Sequence, residues 1–441
     1  MQQYIDLFTQ HKSRIEASCA PLLNQAREQA FETFRRTGFP AYRSEDYTHT
    51  DVPGLLQEDF GFYLNRPASS GAFPLAFHCQ MLLQTAFSAY DVNGYFYSGE
   101  KNQPLPEGVF SGSLNVFAER YPELFSAYYH RLAMQEADGL AAFNTAFVQD
   151  GYVLYVPENV IIENPIQLTN LLIGNQRSLI NRRLLLIFEP GAQAKVLVCN
   201  HTGNEQTAMA ATQVCEIFAG KGSVVDFCEM EECSPQTIRL AAHYVRQESS
   251  SDVRIHAITL ANGTTRNNYR VDLAGAHAEL QLSGLTIADQ RQRTDNYTVI
   301  HHQVPDCRSH ELFQYLVEEQ AIGAFSGRII VAPGAQHTEA YQTNRNLLGS
   351  REARMYSKPQ LEIYADDVKC SHGMSTGQID ETALFYMRSR GIPEAEARYL
   401  LKLAFTMDVL RGIRMEGLSD RLKWLVEKRF RGELIKCQGC I

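Results

Sequence analysis

The 441-residue chain has no run of the roughly 18 apolar residues that a bilayer-crossing helix requires. Its start, Met1-Gln2-Gln3-Tyr4-Ile5-Asp6, offers neither a basic leader nor an apolar export stretch, so the expected compartment is the cytoplasm. Positive charge is in deficit. A formal net charge of −9 argues against nucleic acid as the main partner, because phosphate binding needs a basic face. Signatures of catalysis are missing as well. Gly220-Lys221-Gly222-Ser223 lacks the spacing of a phosphate-binding loop, so ATP must be handled by another protein. Neither a G-x-S-x-G nor an H-E-x-x-H element occurs, and no catalytic residue is assigned. The ten cysteines form no disulfide framework; most are scattered singly and read as free thiols of a reducing compartment. The one close pair, Cys437-Gln438-Gly439-Cys440, lacks the strand-then-helix context of a redox motif.

What is present is ordinary globular material, 44% hydrophobic and 21% charged, in a chain too long for one core. Three regions are expected: a mostly helical 1–150, a β core over 151–375, and a helical 376–441 that carries the cysteine tail. Leu22, Leu23, Ala26, Ala30, Phe31 and Phe34 recur at helical spacing until Gly38 and Pro40 stop them. Residues 65–112 resist assignment. Helical spacing returns between Glu123 and Phe147 and ends before the Asp150-Gly151 turn signal.

Beyond Gly151 the text becomes short apolar runs with small-residue corners. A loose echo passes through Glu189-Pro190-Gly191-Ala192, Ala219-Gly220-Lys221-Gly222, Leu273-Ala274-Gly275-Ala276 and Val331-Ala332-Pro333-Gly334. Almost no helix-period sequence separates these units, which argues against parallel strands joined by helical crossovers. A β-solenoid, in which each coil stacks on the last, fits best; a large antiparallel sandwich is the alternative the spacing leaves open. Helices then return. Asp380 is placed to cap one that ends near Gly391, and Pro393 opens a second with the stripe Ala397, Leu400, Leu401, Ala404 and Phe405. Ser419 or Asp420 would cap a third that buries Leu422, Leu425, Val426 and Phe430. This helical end is expected to close the last coil, and any uncovered stripe would be a docking surface.

The run from Lys358-Pro359-Gln360-Leu361-Glu362-Ile363-Tyr364-Ala365-Asp366-Asp367-Val368-Lys369-Cys370-Ser371-His372-Gly373 through Leu384-Phe385-Tyr386-Met387-Arg388-Ser389-Arg390-Gly391 closely resembles the SufB/SufD family of iron–sulfur cluster assembly. Gln342-Thr343-Asn344-Arg345-Asn346-Leu347-Leu348 and Ser326-Gly327-Arg328-Ile329-Ile330-Val331 are similar to further family segments. So are His302-Gln303-Val304-Pro305 and, near the N-terminus, Arg43-Ser44-Glu45-Asp46-Tyr47-Thr48. The resemblance implies a right-handed parallel β-helix core flanked by N- and C-terminal helices, with a scaffold role and no enzymatic activity. It implies a SufB-like partner at the end of the core and a SufC-like ATPase on the C-terminal helices, and it leaves open a homodimer of the isolated chain. The Lys369-Cys370-Ser371-His372-Gly373 wording is that of the SufD-like branch. SufB-like chains carry a Glu-His-Glu segment there and a cysteine where Thr343 stands here.

Site expectations follow from these residues. An extended segment from Leu361 would set Glu362, Tyr364, Asp366, Val368, Cys370 and His372 on one face, unless Asp366-Asp367 kinks it. Cys370 and His372 are then candidate ligands for iron or a transient cluster, half a coordination shell that a partner would complete. Asp366, Asp367 and Lys369 join them as expected interface residues; the plain alternative for Cys370 and His372 is packing or interface without a metal. No stably bound cofactor is expected. His301, His302, Asp306, Cys307 and His310 read as a β-corner, and Glu229, Glu231 and Glu232 as a solvated acidic turn. Two other functions stay open: a carbohydrate-active β-helix enzyme using Glu362, Asp366 and Asp367, and a SufB-like cluster carrier using Cys370 and the tail cysteines.

Overall fold

The computed structural model describes residues 1–61, 81–82, 84–99, 102–135 and 138–433. Its centre is a parallel β-solenoid of about eight coils, and helices flank it on the N- and C-terminal sides. Strands alternate between two sheets. One sheet runs from Tyr152–Val156 through Ser178–Phe188 and alternate strands to Ile322–Val331 and Arg354–Ile363; the other runs from Ile166–Leu172 through Gln193–Thr202 to Glu339–Leu348 and Lys369–Gly377. Every neighbouring pair within these runs is parallel, so the antiparallel sandwich is excluded. The β-helix reading holds.

The corners explain why the sequence echo is loose. Every first-to-second-sheet corner but the last, between Ile363 and Lys369, holds a residue in the left-handed region: Asn159, Gly191, Gly222, Ser250, His277, Asp306 and His337. Its N–H reaches the next coil's carbonyl, as in Gly191 to Lys221, Asp306 to Gln336 and His337 to Asp367. Glycine pays no steric cost there, but single polar residues also adopt this conformation where stacking fixes it. The glycine signal therefore fades along the chain while the geometry persists. Gly275 is required for another reason: a Cβ there would lie 1.9 Å from the backbone nitrogen of Ser249.

Alternation along each strand fills the interior with Val196, Phe227, Ile255 and Leu282, stacked coil upon coil. Glu229 and Glu231 share this inward parity. They are buried, in strand Val224–Glu232, which corrects the reading of a solvated turn; Glu232 at the strand's end is half-buried. Glu229 accepts hydrogen bonds from Asn200, Gln213 and His243 and lies 3.6 Å from Arg239. Burial pushes its carboxyl up, but Arg239 and His243 outweigh this and hold it well below the usual range.

The N-terminal helices Gln2–Glu16, Pro21–Thr37 and Gly139–Phe147 cover the outer face of the first sheet, packing Phe8, Phe31, Phe34 and Phe143 toward Leu179, Ala210 and Leu240. Strands Phe87–Val92, Tyr95–Ser98 and Phe110–Ser113, which the sequence did not reveal, close the first coil. At the other end, helices Glu394–Arg411 and Leu418–Phe430 fold back along the outer face of the second sheet. Val409, Leu410, Leu422 and Leu425 meet Leu197, Cys228, Ile258 and Leu285. They clothe the flank rather than closing the last coil, because the apolar side chains they need lie on that flank. The N-cap of the third helix is Gly417, with φ +74°, not Ser419 or Asp420; the Ser419 hydroxyl donates to the Leu410 carbonyl instead. Asp380 caps Glu381–Ser389 as expected, accepting from the Thr382 and Ala383 amides. No helix among the described residues is long and apolar enough to cross a membrane.

Candidate partner and metal site at the open terminal coil

The final coil is bare. Strand Lys369–Gly377 is exposed along most of its length, Arg354–Ile363 is at best half-buried, and among the described residues no strand pairs beyond either. Strand Arg354–Ile363 ends before Asp366-Asp367, where the chain turns from one sheet into the other, so the single extended face expected from Leu361 to His372 does not exist. The parity restarts at Lys369. Cys370 stacks on Ala340, and His372 stacks on Gln342 and, beyond it, Glu311. Those columns are interior ones, so Cys370 and His372 stand side by side at the mouth of the solenoid. Cys370 is half-buried against the interior cluster, and that burial pushes its thiol up; His372 is exposed.

The other expected interface residues ring this mouth. Asp366 and Asp367 are exposed at the last corner, with Asp367 3.3 Å from His337. Lys369 lies 3.0 Å from Glu339, and Glu362 lies 3.5 Å from Arg328. Thr343 belongs to strand Glu339–Leu348 and, between inward Gln342 and Asn344, faces out. The histidine window disperses. His302 is buried and bonded to Ser309, His301 faces Asp272, His310 stacks on Tyr341, and Cys307 is buried near the Gly275 carbonyl. Among the described residues no three His, Cys, Asp or Glu side chains are grouped to hold a metal. Cys370 and His372 thus offer two soft or borderline ligands of the four that an iron or zinc centre takes.

Of the stripe expected to dock an ATPase, Ala397 is buried, Leu400, Leu401 and Phe405 are half-buried, and Ala404 is exposed. Phe405 packs toward the flank of the solenoid. The exposed aromatics lie one helix earlier: Phe385 is 72% and Tyr386 57% accessible. Cys437 and Cys440 lie outside the described residues.

Sequence reasoning missed two features. Behind His372, Gln342 donates to Glu311, and Gly327 on the facing sheet makes room for it; a Cβ there would lie 2.3 Å from the Gln342 carboxamide nitrogen. Burial pushes the Glu311 carboxyl up to about 7, against the smaller pull of Thr298 and Gln342. An unfolded glutamate titrates near ~4.3, so this group favours the folded state less as pH rises from there through about 7. Glu311→Gln is therefore expected to leave the melting temperature unchanged near pH ~4 and to raise it above pH ~7. Parallel melting curves for both chains across that range would refute this.

The second feature is the Arg43–Thr48 element, which straps the outer face of the first sheet. Asp46 accepts from Tyr297 and Arg328 and faces Arg270, Arg266 lies over the Tyr47 ring, and His49 stacks on Tyr356 of the last coil. Its partners are spread over residues 266–356, which is why the motif had no visible role in the sequence.

Residues 171–405 match the SUF system FeS cluster assembly SufBD core domain, and residues 1–168 the SufBD protein N-terminal region. The chain belongs to the SufBD family. An iron–sulfur cluster assembly SufBD family protein of Synechocystis is 29% identical over 424 residues, covering 92% of this chain and 91% of that one. The iron–sulfur cluster assembly protein SufD of Escherichia coli is 36% identical over 177 residues, 40% of this chain and 42% of that one. The SufD of Bacillus subtilis is 26% identical over 330 residues, covering 73% and 74%. A SufBD core of this kind places its last strands, with Cys370 and His372, at the end of the solenoid that no described element covers.

Proposed function

We propose that the chain is a non-catalytic, cytoplasmic scaffold subunit of a SUF complex. It pairs with a SufB-like subunit across its open terminal coil and docks a SufC-like ATPase on its C-terminal helices. The observation that carries this reading is the pair of strands at the C-terminal end of the solenoid that no described element covers. An open strand edge is a template for pairing, and soluble proteins cover or blunt such edges unless a partner does so. In this role Asp366, Asp367 and Lys369 frame the contact. Cys370 and His372 lend two ligands to iron or a cluster in transit, and the partner supplies the rest. The chain keeps no resident cofactor, and ATP acts only through the ATPase. When the partner is missing, a second copy takes its place.

The test is co-expression with a SufB-like and a SufC-like subunit, purification through a tag on this chain, and measurement of mass and iron. A ternary complex whose iron falls on His372→Ala supports the proposal; recovery of the chain without either subunit overturns it. The ATPase dock reads best around Phe385 and Tyr386, since large exposed aromatics are the usual anchors of an interface. Phe385→Asp is expected to lower ATPase capture by about tenfold or more with the melting temperature unchanged. Phe405→Asp would instead strike packing against the solenoid flank. Undiminished capture by Phe385→Asp would place the dock elsewhere.

A further inference from the structure

The terminal coil carries a pattern of charge that stops one strand short. Glu279, Arg308, Glu339 and Lys369 stand in register on four successive strands of the second sheet. Arg308 lies 3.4 Å from Glu279 and 3.9 Å from Glu339, and Lys369 lies 3.0 Å from Glu339. Each inner member of this ladder has an opposite charge on both sides. Lys369, on the edge strand, has one on a single side. At the adjoining corner His337 lies 3.0 Å from Asp306 and 3.3 Å from Asp367, which is exposed at the same edge; these are ion pairs only when the imidazole is protonated.

We infer that this ladder selects the partner: the strand that continues the second sheet carries a carboxylate facing Lys369. The inference rests on the pairing proposed above and states its chemistry. Like charges directly opposite each other on neighbouring strands are destabilising and opposite charges stabilising, so the exposed end of an alternating ladder discriminates between incoming strands. A second copy of this chain does not satisfy it. Antiparallel self-pairing that uses the whole strand turns about Gly373 and sets Lys369 opposite Gly377; parallel self-pairing sets Lys369 against itself. A different subunit with an acidic residue at that register meets the ladder, and the copy is the weaker occupant. Because the charges are solvent-exposed, the selection acts on specificity and association rate and is screened by salt.

The experiment compares wild type, Lys369→Glu and Lys369→Gln in binding to the SufB-like subunit at low and at high salt, with melting curves of each free chain. At low salt the reversal is expected to bind about tenfold more weakly, with the neutral variant between. At high salt the three affinities should converge, and so should the melting temperatures, because the reversal also sets a carboxylate opposite Glu339. Self-association of the free chain should be no weaker in the reversal than in wild type. Equal binding of reversal and wild type at low salt overturns the inference, as does a loss that high salt leaves intact. Failure of wild type itself to bind the SufB-like subunit would overturn the pairing reading instead.

Discussion

Met374→Pro is expected to abolish capture of the partner subunit while leaving the free chain folded. The Lys369 amide donates to the Thr338 carbonyl, so in this parallel strand Lys369, Ser371, Gly373 and Ser375 bond inward to Glu339–Leu348. The alternation leaves the amides of Cys370, His372, Met374 and Thr376 facing the open edge. Proline at 374 removes a donor from that edge alone and sets its ring where an incoming strand would lie. Met374 is 56% exposed, so little packing is lost. Binding should weaken by about a hundredfold, since the ring blocks the pairing as well as deleting one bond. Ser375→Pro, one residue on, should instead fray the strand and lower the melting temperature. Undiminished capture by the Met374 variant would mean that the partner does not add to this edge.

The largest stability effect is expected at Glu216. Its carboxylate pairs with Arg183 in a fully buried site and accepts from the amides of His130, Leu132 and Ala133, which open the helix Arg131–Gln135. One side chain thus joins the solenoid to the N-terminal helices. Glu216→Ala leaves a buried guanidinium without its carboxylate, together with three orphaned amides, at a cost of about 3–5 kcal/mol. Chemical denaturation followed by circular dichroism measures it. A companion variant, Glu216→Leu with Arg183→Met, should recover part of the loss because it removes both charges. A cost below about 1 kcal/mol for Glu216→Ala would mean that Arg183 finds another partner.

The contrast between Glu216 and Glu229–Glu232 shows where reading along the chain falls short. All stand in strands whose text looks amphipathic or acidic, yet Glu216 points outward under a helix layer and Glu229 inward among Asn200, Gln213 and His243. A run of acids reads as solvated because charge is costly to bury. What makes these acids tolerable is a set of partners on other coils, which no local window contains. Similarly, the stripe from Ala397 to Phe405 was legible as apolar, but the side that meets the solenoid depends on the outward Leu and Cys residues of strands far away in sequence.

By itself the sequence determined a β core between flanking helices, and the resemblance of its Lys358–Gly391 segment pointed to the family and its solenoid; the parallel pairing that excludes a sandwich came from the structure. The period-two runs, the lack of helical crossovers and the segment from Lys358 to Gly391 are local properties, and they survive whatever the chain packs against. It also brought Cys370 and His372 together, since two residues on one strand share a side. Tertiary structure alone decided that this side is the mouth of the interior, that the C-terminal helices run along the flank, and that one end stays open. Those outcomes depend on which surfaces meet across a hundred residues or more. Burial is a property of the assembled coils and not of any single strand.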